Sequence, residues 1–224
     1  MFADITSANV VGYQNNDLQF GTTLLAPCFV DVGSDNVDLT KIVPGGDNFA
    51  SGAIMISRLD SAGVNIEDYI YMIPRRGTPG WYNGSTPVAE GEVTFNAGEG
   101  IAVSGTSDGL QVTTAGEVST ADRTITLQFG TTLCGNHTAA PLDLTTIVPG
   151  GDNFASGAIM ISRLDSAGVN IEDYIYMIPR RGTPGWYNGS TPVAEGEVVF
   201  AAGEGFAASG TSDGLNITIT GPTL

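Results

Sequence analysis

Short apolar runs separated by turn residues dominate the chain, and no segment keeps a helical period over ten or more residues. The clearest case is residues 53–59 (AIMISRL), followed by Asp-Ser-Ala-Gly at 60–63 and by a second β-rich run at 64–73 (VNIEDYIYMI). Two β-rich runs around a turn that contains Asp and Gly predict a β-hairpin. The second run does not alternate strictly, so the pattern leaves the register of this hairpin open.

Further β-rich runs surround this hairpin, and glycine-rich turns separate them. The runs lie at residues 18–26, 92–96, 100–105 and 110–114. The turns are GGDN at 45–48, AGEG at 97–100 and GTSDG at 105–109. Strands at regular spacing with turn punctuation are typical of a β-sandwich or barrel, and we expect roughly seven or eight strands in this half of the chain.

The whole pattern occurs twice. Residues 42–93 and 147–198 are identical at every position, a block of 52 residues repeated at an offset of 105. A repeat of this length is domain-sized and too long for a solenoid unit. We therefore predict an all-β chain of two tandem, near-identical β-sandwich domains, Ig-like or jelly-roll-like, which span residues 1–117 and 118–224.

The two copies differ ahead of the identical block. LQFGTTL occurs at 18–24 and again at 127–133, an offset of 109. The residues that follow number 16 in the first copy (25–40) and 12 in the second (134–145). Identity that extends through loops indicates a recent, homogenised or engineered duplication, because loops normally drift.

A strand-like N-terminal segment, residues 1–17, precedes the first copy and contains the run ITSANVVGYQ. Its apolar and aromatic side chains include Ile5, Val10, Val11 and Tyr13. A β-rich terminal segment can complete the sheet of another subunit by strand addition. These four residues are therefore candidates for an interface.

Composition and charge exclude several classes of protein. The chain has 24 Asp+Glu against 8 Lys+Arg, a net charge of -16, and Lys41 is its only lysine. This charge repels phosphate, so we expect no nucleic-acid partner. No apolar run approaches the roughly 18 residues that span a bilayer, so we expect no membrane span. Few lysines, many small polar residues and a start that resembles the region around a signal cleavage site favour an extracellular or cell-surface location.

Half of the basic residues lie in one repeated segment, residues 75–87 (RRGTPGWYNGSTP) and its copy, whose Pro and Gly content predicts a long exposed loop. Arg, Trp and Tyr dominate protein interfaces, and exposed Trp and Tyr could also stack on sugar rings. The alternative is that Trp81 folds back over the end of the sandwich while the arginines balance nearby acids. The interface candidates in these segments are Arg75, Arg76, Trp81, Tyr82, Arg180, Arg181, Trp186 and Tyr187.

Cys28 and Cys134 follow the repeated LQFGTTL at positions that are not equivalent. They cannot close one bridge within a single copy, which leaves an interdomain disulfide, an intersubunit disulfide or two free buried thiols. His137 is the only histidine, and two cysteines with one histidine do not predict a zinc site.

No catalytic constellation stands out, and we do not expect an enzyme. His137 and Cys134 lie three residues apart in an extended segment, where side chains diverge. Acid pairs such as Glu67 and Asp68 arise by chance in a chain with 24 carboxylates. Residues 60–68 lack the spacing of a calcium loop, so no metal or cofactor is expected.

The chain contains, in order, ITSANVVGYQ, LQFGTTLLAPCFVDVG, the hairpin block and the AGEGIAV strand. Together these segments resemble a class of uncharacterised β-sandwich repeat proteins secreted by bacteria. In architecture the chain is similar to subunits of extracellular filaments, in which a terminal strand completes the sheet of the next subunit. It departs from Gram-positive pilins, because Lys41 is replaced by Thr146 in the second copy and a Lys–Asn isopeptide bond cannot form in both.

The resemblance implies a structural subunit of an extracellular filament or surface fibre that assembles head-to-tail with itself. We expect the N-terminal segment to donate a strand, and the junction between the copies to serve as the template for a heterologous contact between chains. One alternative is a bivalent carbohydrate-binding or adhesin module that uses Trp81 and Trp186 for avidity. Another is a phage or virion structural protein.

Overall fold

The computed structural model describes residues 11–31, 33–59, 65–127, 129–164 and 170–221, and these residues form an all-β fold, as predicted. The helical segments within them are two short 3-10 helices, Leu39–Lys41 and Leu144–Thr146. No helix in these ranges is long and apolar enough to cross a membrane.

The strands of the first repeat outnumber the sequence prediction because several contain only two or three residues. They are β1 (Val11–Leu18), β2 (Gly21–Leu25), β3 (Phe29–Val30), β4 (Asn36–Asp38), β5 (Val43–Gly46), β6 (Ile54–Leu59), β7 (Asn65–Met72), β8 (Gly80–Asn83), β9 (Thr86–Pro87), β10 (Thr94–Asn96), β11 (Ile101–Gly105) and β12 (Leu110–Val118).

The second repeat follows the same plan without a counterpart of β3 among its described residues. Its strands are β13 (Arg123–Leu127), β14 (Gly130–Gly135), β15 (Leu142–Asp143), β16 (Val148–Gly151), β17 (Ile159–Leu164), β18 (Asn170–Met177), β19 (Gly185–Asn188), β20 (Thr191–Pro192), β21 (Val199–Phe200), β22 (Gly205–Gly210) and β23 (Leu215–Ile219).

Each repeat contributes one six-stranded antiparallel sheet with the same strand order, β2-β11-β6-β7-β8-β9 in the first and β14-β22-β17-β18-β19-β20 in the second. The predicted hairpin is confirmed, since β6 pairs with β7 and Met55 lies opposite Ile70. Its predicted turn, residues 60–63, lies outside the described residues. The outermost strands β9 and β20 each have two residues and end in proline, which blunts that edge against further pairing.

The second sheet of the first repeat centres on β12. This strand pairs with the eight residues of β1 on one side, and with β5 and β3 on the other. In the second repeat β23 lies between β13 and β16. The C-terminal end of β12 is still part of the sheet, because Glu117 and Val118 pair with Val30 and Phe29. The predicted boundary after residue 117 therefore falls inside a strand, one residue before its end.

The apolar residues of each repeat pack into a core cluster of their own. The cluster of the first repeat draws on residues between Leu18 and Val112, and that of the second on residues between Leu127 and Ile219. Strand β6 shows the underlying pattern, since Ile54 and Ile56 are fully buried whereas Met55 between them is partly exposed. This two-residue period is that of a strand with one face on the core.

Trp81 and Trp186 belong to these cores and are each 2% exposed. The indole N–H of Trp81 donates to the carbonyl oxygen of Ile42 at 2.9 Å, and Tyr71 packs edge-on against its ring. The expectation that residues 75–87 form one long exposed loop is therefore wrong. Gly84 and Ser85 form a two-residue hairpin turn between β8 and β9, and the hairpin carries Trp81 inward, where its N–H finds a buried partner.

Replacing Trp81 with alanine should lower the free energy of unfolding by about 3–5 kcal/mol, because it leaves a large cavity and an unpaired carbonyl. Urea unfolding monitored by circular dichroism measures this loss. Ser85→Ala, at the exposed tip of the same hairpin, should stay within about 0.5 kcal/mol of the parent. A Trp81→Ala variant as stable as the Ser85→Ala variant would contradict the buried position.

Candidate interaction surfaces

The two repeats meet through backbone hydrogen bonds that occur in reciprocal pairs. Equivalent positions are 109 apart in the strands before the identical block, and 105 apart within and after it. The N–H of Ala26 donates to the carbonyl of Gly203 at 2.8 Å, and the N–H of Gly135 donates to the carbonyl of Gly98 at 3.1 Å. Ala26 is equivalent to Gly135, and Gly98 to Gly203. The same bond therefore forms twice with the roles of the repeats exchanged.

A second reciprocal pair has the same relation. Leu25 forms an antiparallel bridge with Glu204, and Cys134 forms one with Glu99. Leu25 and Cys134 are equivalent, as are Glu99 and Glu204. Contacts of this kind define an isologous interface about a two-fold axis. The expectation of a head-to-tail, non-closing junction between the copies is therefore wrong, since each repeat uses one surface both to give and to receive the contact.

The AGEG turn, which the sequence showed only as punctuation, is part of this junction. A Cβ atom placed on Gly100 would lie 2.6 Å from the carbonyl carbon of Leu133, and one on Gly205 would lie 2.7 Å from that of Leu24. Neither glycine has a left-handed backbone. Glycine is therefore required here because the backbone of the other repeat comes so close, and not because of the turn itself.

Two polar side chains at equivalent positions extend the junction. In β1 the amide nitrogen of Gln14 donates to the carbonyl of Ala202 in the other repeat. In β13 the guanidinium of Arg123 donates to the carbonyl of Asp35 at 2.9 Å and lies 3.7 Å from its carboxylate. The first strand of each repeat thus contacts the opposite repeat.

Cys28 and Cys134 are both buried and both free. The thiol of Cys28 donates to the side-chain oxygen of Gln14 at 2.6 Å. Burial raises the pKa of the Cys28 thiol to about 12 and also raises the pKa of Cys134. The two thiols are free, so an interdomain disulfide between them is not formed. Burial of both sulfurs favours two free buried thiols, and the intersubunit disulfide stays a prediction.

His137 occupies the position equivalent to Cys28 and lies under the residues that connect the repeats. Its Nε2–H donates to the carbonyl of Ala121 at 2.9 Å, while Nδ1 is buried without a partner among the described residues. Burial lowers the pKa of His137, the carbonyl of Ala121 raises it, the charge of Arg123 lowers it and that of Asp122 raises it. The net effect favours the neutral imidazole.

The four arginines of the repeated outer turn differ from the other basic residues in their surroundings. Lys41, Arg58, Arg123 and Arg163 each lie within ion-pair distance of a carboxylate. Arg75 with Arg76, and their copies Arg180 with Arg181, are exposed and form no ion pair with the described residues. They remain candidate contacts for an acidic surface.

The aromatic candidates beside these arginines are differently placed. Tyr82 is half-buried and donates to the carbonyl of Thr78, as Tyr187 does to that of Thr183. Trp81 and Trp186 are core residues. The expectation that the two tryptophans stack on sugar rings or contact a partner is therefore wrong, because no ring face is open to solvent.

Sequence reasoning missed two exposed phenylalanines at equivalent positions, Phe20 (72% exposed) and Phe129 (74% exposed). A two-residue period places Phe20 on the same face as the buried Leu18. The strand ends before it, however, and Gly21 has φ 111°, so the chain turns and Phe20 faces solvent. The glycine that follows each phenylalanine is the signal that could have revealed this.

Only two of the four N-terminal interface candidates lie among the described residues. Ile5 and Val10 lie outside the described residues. Val11 and Tyr13 lie in β1, and Tyr13 is 73% exposed. One edge of β1 pairs with β12, and the other edge has no strand partner among the described residues. This strand contains neither proline nor lysine, the residues that commonly blunt an open edge.

Acidification should destabilise the protein through His137. Because its folded pKa lies below the unfolded value of about 6.5, neutral His137 contributes stability above that pH, and the contribution is lost as pH falls towards the folded pKa. The urea midpoint should fall more between pH 7.5 and about 5.5 for the parent than for His137→Gln. Equal pH slopes for the two proteins would contradict this account.

Replacing all four outer arginines with alanine should leave the free energy of unfolding within about 0.5 kcal/mol of the parent, because exposed residues without partners add little to stability. Urea unfolding checks this expectation. Arg163→Ala is the matched control, since it removes an ion pair with Glu204 and a contact with the Phe200 ring and should cost more. A large loss in the fourfold variant would show that the outer arginines are structural.

No protein-family model, curated protein or solved structure matches the chain. Its function is therefore inferred from the geometry of these surfaces.

Proposed function

We propose that the chain is a structural subunit of an extracellular filament or surface fibre that assembles from copies of itself. The open edge of β1 is the observation that carries this proposal. Its eight residues present a row of N–H and C=O groups that no described strand covers. An edge strand of this length without proline or lysine is a template for pairing with a strand from another chain.

Within this proposal each repeat is a β-sandwich domain, Ig-like or jelly-roll-like, with residues 1–117 in the first and 118–224 in the second. The separate core clusters support it, because Leu110 and Val112 of the β12 sheet pack with Ile54 and Ile56 of the six-stranded sheet. Burial of apolar residues from two sheets in one cluster is the packing of a sandwich.

The donor in this proposal is the N-terminal segment of a neighbouring chain. Val11–Leu18 pairs with β12 of its own chain, so the part left to donate is residues 1–10, which include Ile5 and Val10. The contact joins two different surfaces, an N-terminal segment and the edge of β1, and therefore propagates head-to-tail. In the second repeat the corresponding strand β13 is shorter and begins with the charged Arg123.

Contacts between neighbouring subunits could also use the other exposed groups. Phe20 and Phe129 offer apolar surface, and the four outer arginines offer the concentrated positive charge on a chain of -16. Acidic surfaces of a neighbouring chain complement these arginines. Attraction of this kind is weakened by salt, whereas strand pairing is less affected.

Removal of residues 1–10 should abolish fibres while leaving the fold intact, because β1 and its hydrogen bonds to β12 remain. Negative-stain microscopy of full-length and truncated protein at matched concentration tests this. Fibres formed equally by the truncated chain, or their absence from the full-length protein, would contradict the proposal.

Matched substitutions separate strand donation from a general effect of the segment. Ile5→Asp with Val10→Asp places charge on the apolar residues of the donor and should abolish fibres. Ser7→Asp with Asn9→Asp adds the same charge at polar positions and should leave fibres in place. Equal behaviour of the two double variants would show that charge, and not donation of the apolar strand, controls assembly.

A further inference from the structure

We infer that the junction between the repeats is a homotypic docking surface whose partner is another copy of the same repeat. The junction surface comprises residues 24–26 and 98–100 in the first repeat and residues 133–135 and 203–205 in the second. The chain is accordingly a two-fold pair of modules fused into one polypeptide. This inference does not depend on whether the protein forms fibres.

Each repeat carries both halves of the contact. The first repeat supplies a donor, the N–H of Ala26, and an acceptor, the carbonyl of Gly98. The second repeat supplies the equivalent donor and acceptor, Gly135 and Gly203. A surface that holds both halves in the arrangement required by a two-fold axis is complementary to itself. Two copies of the second repeat can therefore form the same pair of bonds as the first with the second.

The sequence differences at the junction favour self-pairing of the second repeat over self-pairing of the first. Leu25 and Ala26 stand where the second repeat has Cys134 and Gly135. A Cβ atom on Gly135 would lie 2.7 Å from the Cβ of Ala26, so a pair of first repeats would force two alanine side chains together, whereas a pair of second repeats would set Gly135 against Gly135. The glycines at which the backbones come closest, Gly100 and Gly205, are the same in both repeats.

The covalent connection is short and partly exposed, and it forms a minor part of the contact. Strand β12 ends at Val118 and β13 begins at Arg123, and Ala121 and Asp122 between them are exposed. The reciprocal hydrogen bonds lie elsewhere, in the ends of β2 and β14 and in the AGEG turns. Cutting the chain at this exposed site should therefore leave the junction intact.

A protease site inserted between Ala121 and Asp122 of the full chain, cleaved after folding, tests the inference. The two halves should elute together from a sizing column, with the mass of the intact 23.1 kDa chain plus the inserted site. On incubation they should also exchange, so that native mass spectrometry detects pairs of two second repeats beside the mixed pair. These same-repeat pairs are the specific signature of a homotypic surface.

Matched glycine variants test whether the junction is what holds the two cut halves together. Gly100→Val with Gly205→Val places side chains against the backbone of the opposite repeat and should cause the cut halves to separate. Gly80→Val with Gly185→Val makes the same change where a Cβ meets no atom within 4 Å, and should leave the halves paired. The exchange measurement on the cut parent chain needs neither variant to fold.

Same-repeat pairs in the cut parent chain support the inference. Halves that separate completely at micromolar concentration, or that persist as mixed pairs and never form same-repeat pairs, overturn it. Microscopy of the uncut chain is a separate readout. Fibres without same-repeat pairs would overturn this inference alone, and same-repeat pairs without fibres would overturn the fibre proposal alone.

Discussion

The arrangement of the molecule depends on one constraint, the close approach of the two backbones at the junction between the repeats. Reciprocal hydrogen bonds stabilise this approach. Buried N–H and C=O groups need partners, and Ala26 and Gly135 find theirs only in the opposite repeat. Glycine at positions 100 and 205 lets the two backbones come close enough for this. A two-fold relation of the repeats follows, and the identical outer blocks are then presented as a symmetric pair.

This symmetry distinguishes the junction, which is complete within one chain, from surfaces that can bind a further subunit. The junction uses one surface twice and is complete within the chain, so it offers no site for growth. The edge of β1 has no equally long counterpart in the second repeat, because β13 has five residues and begins at Arg123. The assembly proposal therefore rests on an edge strand that is longer in the first repeat than in the second.

Much of the fold could be predicted from local pattern, and the exceptions have physical causes. The hairpin of β6 and β7 and the buried Ile54 and Ile56 follow from alternation and turn chemistry. The inward position of Trp81 was only one of the alternatives that the sequence left open, because the carbonyl that satisfies its indole N–H lies 39 residues away. The junction was also hidden, since backbone atoms make it, and a repeated sequence is equally compatible with translation and with two-fold rotation.

Hydrogen exchange at the amides of Ala26 and Gly135 tests the two-fold junction most directly. Both amides donate across it, so both should exchange slowly, to a similar extent, and far more slowly than the amide of Ser85 in an exposed turn. Exchange of either amide as fast as that of Ser85 would show that the reciprocal bonds do not form. The two-fold relation between the repeats would then be wrong.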